Sequence, residues 1–234
     1  MATDAHTVEA GIEDEQHHFR VRLHHDGERV TGVEGRAVRW PWAPCAESPA
    51  ALEAAVGVAL TTDPTALGRH TPARLQCTHQ FDLLGLAIGH AAAVAAGARP
   101  SRRQYDAAVP DWRDPPFTAE LQRDGHVVLR WTCDASTIVQ PTPFAGVSLR
   151  EKFIEWCAAS LDTDTAEAAL VLRRAVWMSP SRLLDLEACD DALESALRPG
   201  VCFTAQPERI RVALRNRDSL RDFGSSAGGL VAGL

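Results

Sequence analysis

The stretch Gln76-Cys77-Thr78-His79-Gln80-Phe81-Asp82-Leu83-Leu84-Gly85-Leu86-Ala87-Ile88, continuing through Ala91-Ala92-Ala93-Val94-Ala95-Ala96 to about Gly97, governs how the rest of the chain is arranged. Wound at 3.6 residues per turn it is apolar nearly all round, and such a helix belongs at the centre of a domain. Ahead of it, Phe19, Val21 and Leu23 alternate with Arg20, Arg22 and His24. Asp26-Gly27 then offers a tight turn before Arg29 to Trp40, the pattern of a β-hairpin. After the helix, Tyr105 to Val109, Phe117 to Gln122 and His126 to Trp131 read as three further strands, the last two joined at Asp124-Gly125. Ser148 to Leu161, Thr163 to Met178, Asp185 to Leu197 and Pro207 to Asn216 space their apolar residues by three and four behind a cap or a proline. Strands with helices inserted and then appended predict an α+β fold: a curved antiparallel sheet from the N-terminal half packed on the central apolar helix, with a helical C-terminal half.

Residues 1 to 16 are polar and acidic and read as a mobile tail, as does the Gly/Ser-rich segment 224 to 234, which leaves a single domain over 17 to 223. The 234 residues are 45% hydrophobic and can bury a substantial core. A net charge of -7 speaks against nucleic-acid binding as the main task, even with 24 basic residues, among which Lys152 is the only lysine. Neither a signal-peptide pattern nor an apolar run of membrane-spanning length is present, so the expectation is a cytoplasmic protein that acts on a small molecule, alone or as a homodimer. The chain contains neither GxxxxGK[ST] nor GxGxxG and no HExxH, and its GxSxG string, Gly224-Ser225-Ser226-Ala227-Gly228, falls in the Gly/Ser-rich segment 224 to 234 and not at a strand-to-helix elbow, which speaks against phosphate-cradling loops and the two commonest hydrolase patterns.

The start of the central helix gathers reactive side chains. First-turn N–H groups carry partial positive charge, which favours a thiolate on Cys77 and the carboxylate of Asp82. His79 and Asp82 are three apart and share a face, so Asp82 is expected to orient His79 as a general acid/base, with Cys77 assisting. No cofactor is needed for such chemistry. Cys45 sits in an expected strand-to-helix loop, Pro41-Trp42-Ala43-Pro44-Cys45, ahead of the capped start Ser48-Pro49. Cys45, Cys77 and His79 would supply three ligands of a zinc or iron site, which is the alternative reading. His17, His18, His24 and His25 are expected to be solvated at the ends of a strand, and His90 to be a core residue. Trp40, Trp42, Phe81 and Tyr105 would give a neighbouring pocket an apolar or aromatic lining.

Three segments together carry a resemblance: Val33-Glu34-Gly35-Arg36-Ala37-Val38-Arg39-Trp40-Pro41-Trp42-Ala43-Pro44-Cys45, Gln76-Cys77-Thr78-His79-Gln80-Phe81-Asp82-Leu83, and Cys202-Phe203-Thr204-Ala205-Gln206-Pro207-Glu208-Arg209. Across roughly His17 to Phe223 the chain resembles the bacterial domain-of-unknown-function family 2889, whose motif positions correspond to Cys45, Cys77, Thr78, His79 and Asp82. That name implies no activity. The order of hairpin, loop cysteine, helix and second cysteine is also similar in layout to NifU-like iron–sulfur scaffold proteins, which would imply cluster or zinc binding. Two functional expectations follow: a lyase, hydratase or isomerase working by proton transfer, or a metal- or cluster-binding accessory protein.

Overall fold

The computed structural model describes residues 1–110, 114–195 and 197–223. It divides into two compact units, 1–102 with 185–234 and 103–184, where a single domain was expected. The class is α+β, with two antiparallel four-stranded sheets.

In the first unit the sheet runs in sequence order through β1 (Ala2–Asp4), β2 (Thr7–Glu13), β3 (His18–His25) and β4 (Val30–Arg39). Residues 1 to 16 are therefore not a tail. Val8, Ala10 and Ile12 alternate with polar neighbours and pair across the ladder with Leu23, Val21 and Phe19, so β2 completes the apolar face of the sheet. Helix α1 (Thr78–Ala95) packs on β2 and β3, and Phe81, Leu84, Ile88 and Ala91 meet Val8, Val21, Leu23 and Val30 in one core. A Cβ at Gly85 would run into the Pro64 carbonyl oxygen, so glycine is what lets the loop before α1 lie against it. No helix among the described residues is long and apolar enough to cross a membrane. Residues Ala43–Ala55 form a 3-10 segment with Pro49 inside it, so Cys45 lies in helical structure instead of a loop.

The C-terminal part of this unit is less helical than the sequence suggests. Asp185 to Leu197 yields a single 3-10 turn, Leu186–Ala188, followed by turns, and Pro207 to Asn216 yields one α-turn, α4 (Pro207–Ile210). Tertiary contacts override the local spacing here. Single β-bridges pair Asp191 with Leu214 and Trp42 with Arg215, and the buried Arg215 guanidinium donates to Pro41 O (2.8 Å), Leu186 O (3.1 Å) and Glu187 (2.6 Å).

The second unit has its own sheet, β5 (Tyr105–Ala108), β6 (Phe117–Arg123), β7 (His126–Asp134) and β8 (Thr137–Gln140), in that order. Helix α3 (Thr163–Met178), capped by Asp162 accepting from the N–H groups of Asp164 and Thr165, packs on it over a core that includes Trp131, Phe153 and Leu172. Helix α2 (Phe153–Ser160) is shorter than the expected 148–161, because Ser148 bridges to Thr137 and Lys152 turns with φ of 53°. The expected tail at 224–234 lies outside the described residues.

Candidate functional site

The site begins in the four-residue turn between β2 and β3. Asp14 N–H donates to His17 O (2.9 Å), and Asp14 Oδ1 accepts from the backbone N–H groups of Gln16 (2.8 Å) and His17 (2.7 Å). An aspartate is favoured at such a turn because its short carboxylate can close the loop on itself. From β4 the buried Arg39 guanidinium holds the same turn, donating to Asp14 O (2.6 Å), Glu15 O (2.8 Å), His17 O (3.2 Å), Ser219 O (2.8 Å) and Glu13 Oε1 (3.1 Å). Few rotamers are left to the turn, so the Asp14 and His17 side chains are fixed with it.

Helix α1 brings the third member. His79 is the second helical residue, and its Nε2 lies 3.3 Å from Asp14 Oδ2. At the same carboxylate, His17 Nδ1 lies 3.0 Å from Oδ1 and 3.2 Å from Oδ2. The two imidazoles stack with centroids 4.0 Å apart and planes 29° apart, and Phe19 stacks beneath His17 at 5.7 Å. His79 is 5% exposed and His17 8%, whereas the Asp14 side chain is 19% exposed, so solvent reaches the cluster at the carboxylate. Burial alone would raise the Asp14 pKa. The charge and hydrogen bond of His17, and then those of His79, outweigh it and hold the carboxyl well below its usual range. The result is an ionised carboxylate beside two stacked imidazoles, able to orient them for proton transfer or to share a cation with them.

This constellation differs from the expected one in its partners. The carboxylate set against His79 is Asp14, from a segment read as a tail, while Asp82 lies three residues further along α1 and is half-buried. Cys77 is the buried N-cap residue of α1, and burial pushes its thiol up to about 11 despite the opposing pull of the Gln80 and His79 N–H groups. The expected thiolate is therefore not favoured: a helix N-terminus is worth about 0.3–1 kcal/mol, and desolvation of the sulfur outweighs it. Cys45 is pushed up to about 12 by burial, and its Sγ lies 3.0 Å from Thr204 Oγ1. Cys202 lies within electrostatic reach of both thiols, a third cysteine that spacing alone did not bring to this region. Among the described residues, the group of three whose donor atoms all lie within 4.8 Å of one another is Asp14, His17 and His79, and neither Cys45 nor Cys77 joins it. The expected ligand set of Cys45, Cys77 and His79 shares only His79 with it.

Of the histidines expected in solvent, His17, His18 and His25 are buried, and only His24 is partly exposed, beside Glu34 at 3.2 Å. His90 is a core residue as expected, with Nε2 2.9 Å from Ser101 O. Trp42 and Phe81 are buried in the first unit, while Tyr105 belongs to the second, where its hydroxyl donates to Glu167 Oε1 at 2.8 Å. A cavity of about 240 Å³ in the first unit is lined by residues that include His25, Ala91 and Ala95, at the far end of α1 from His79.

Comparison with family models, with curated proteins and with solved structures gives no match to this chain.

Proposed function

We propose that the chain is a small-molecule enzyme working by proton transfer, of lyase, hydratase or isomerase type, with the cluster of Asp14, His17 and His79 as its acid/base centre. One observation carries this reading: two nearly buried imidazoles converge on one carboxylate, 3.0 Å and 3.3 Å from its oxygens, at the mouth of a rigid turn. Such a centre takes a proton from a water molecule or from a substrate hydroxyl, and returns it to the carbon or oxygen left when the neighbouring bond breaks. Asp14, fixed by two backbone N–H groups, holds the imidazoles in place, and Arg39 holds Asp14. Phe19, whose ring lies 5.7 Å from His17 and 6.2 Å from His79, gives the surroundings an apolar character that suits a substrate with an aromatic or aliphatic body and one hydroxyl or carbonyl group. The resemblance to family 2889 and a cytoplasmic location belong to the same proposal, and both rest on the sequence alone.

The test is a panel of small carbonyl and hydroxylated aromatic compounds incubated with the full chain and followed by mass spectrometry. Turnover that is lost in His79→Ala and in Asp14→Asn, with the melting temperature nearly unchanged, is the expected result. Turnover that survives both substitutions would remove the cluster from the chemistry.

A further inference from the structure

We propose that Asp14, His17 and His79 bind one divalent first-row transition-metal ion, with Asp14 Oδ2, His17 Nδ1 and His79 Nε2 as its protein ligands. The inference rests on the proposed site for its location and specifies what activates oxygen there.

The spacing is that of a coordination sphere. Ligands that each stand about 2.0–2.2 Å from an ion lie about 3.0–3.4 Å from one another in tetrahedral or octahedral geometry. The carboxylate oxygens lie 3.0 Å and 3.2 Å from His17 Nδ1 and 3.3 Å from His79 Nε2, and the three donor atoms fall within 4.8 Å. The two segments that supply them, a turn and a helix start, are far apart in sequence, so local geometry alone does not account for the convergence. Asp14 Oδ2 lies 3.2 Å from His17 Nδ1 and 3.3 Å from His79 Nε2, while Oδ1, 3.0 Å from His17 Nδ1, is also engaged by the N–H groups of Gln16 and His17.

The turn that carries two of the ligands is itself held by the fold, since Arg39 donates to the backbone carbonyls of both Asp14 and His17. Two imidazoles and a carboxylate form a nitrogen and oxygen set suited to zinc, iron(II), cobalt or manganese. Three protein ligands leave positions open on the ion for water and for a substrate oxygen. An ion there would polarise that oxygen and lower the pKa of bound water; with His17 Nδ1 and His79 Nε2 bound to the ion, the proton released from the oxygen would pass to solvent water at the exposed edge of Asp14, and the reaction class stays as proposed.

Chelator-stripped full-length protein titrated with zinc chloride by calorimetry, and with cobalt chloride by absorption spectroscopy, provides the test. The expected result is one equivalent bound per chain, affinity at least about 100-fold lower in Asp14→Asn and His79→Gln, and unchanged affinity in Cys45→Ser. Cobalt should show ligand-field bands without thiolate charge transfer, a readout that needs no variant to fold. Absence of stoichiometric binding, binding that survives both ligand substitutions, or loss of binding in Cys45→Ser would overturn the proposal. A chain that binds no metal yet loses turnover in His79→Ala would sink this inference and leave the proposed function standing. Metal bound at these ligands with turnover intact in His79→Ala would do the reverse.

Discussion

Asp14 shows how much one short side chain can organise: Oδ1 closes the β2–β3 turn and also meets His17 Nδ1, while Oδ2 lies within 3.3 Å of both His17 Nδ1 and His79 Nε2. His79 was legible because a histidine at the start of an apolar helix is an unusual placement, and Cys77 drew attention for the same reason. Asp14 and His17 were not, since Asp14-Glu15-Gln16-His17 has no pattern until β2 is recognised ahead of it. The alternation of Val8, Ala10 and Ile12 with Thr7, Glu9, Gly11 and Glu13 was the available signal, hidden by the acidic run that follows. The cysteines read better as packing groups than as reactive ones. Cys45 and Cys77 are pushed up to about 12 and about 11, so at pH 7 both are neutral, largely buried thiols. Native protein should leave these two thiols unmodified by an aromatic disulfide reagent at neutral pH and release them on denaturation. Rapid modification of Cys77 in the folded chain, mapped by peptide mass spectrometry, would contradict this.

Among the elements, the β2–β3 turn and the start of α1 carry the site, and Arg39 of β4 is the tie between strand and turn. Its guanidinium is matched to four carbonyl oxygens and a carboxylate, so truncation strands several buried acceptors at once. Arg39→Ala should lower stability by about 3 kcal/mol in urea unfolding. A change below about 0.5 kcal/mol would show that the turn stands without it. Elements with strong, self-contained patterns were read well: α1 and α3 fall where spacing put them, as does the β3–β4 hairpin. The failures lie where long-range contacts decide. The segments 185–197 and 207–216 have helical spacing, but β-bridges and the buried Arg215 limit their helical structure to the short turns Leu186–Ala188 and Pro207–Ile210.

On the scale of the whole molecule, the α+β class was legible from the order of strands and helices, whereas the division into two units was not, because Phe117 to Trp131 carries the same alternation whichever sheet it joins. The second unit holds an ion cluster of Arg103, Arg123, Asp164 and Glu167 that makes stability depend on acid. Burial pushes the Asp164 carboxyl up, but Arg103 and then Arg123 outweigh it, and its pKa falls below the ordinary value. A carboxyl with a depressed folded pKa stabilises fully above its unfolded value of about 3.9, and that contribution is lost as pH falls through the folded value. Stability measured against pH should therefore drop below about pH 4, with a shallower drop in Asp164→Asn. An identical acid limb in the variant would remove Asp164 as a cause. The central claim is that Asp14, His17 and His79 act together as one metal-binding centre, and imidazole NMR of the chelator-stripped chain, recorded before and after one equivalent of zinc, tests it most directly. The account predicts that the coordination-sensitive nitrogen shifts change at His17 Nδ1 and His79 Nε2 while His18, His24, His25 and His90 stay in place; unchanged His17 and His79 resonances at full zinc loading would contradict it.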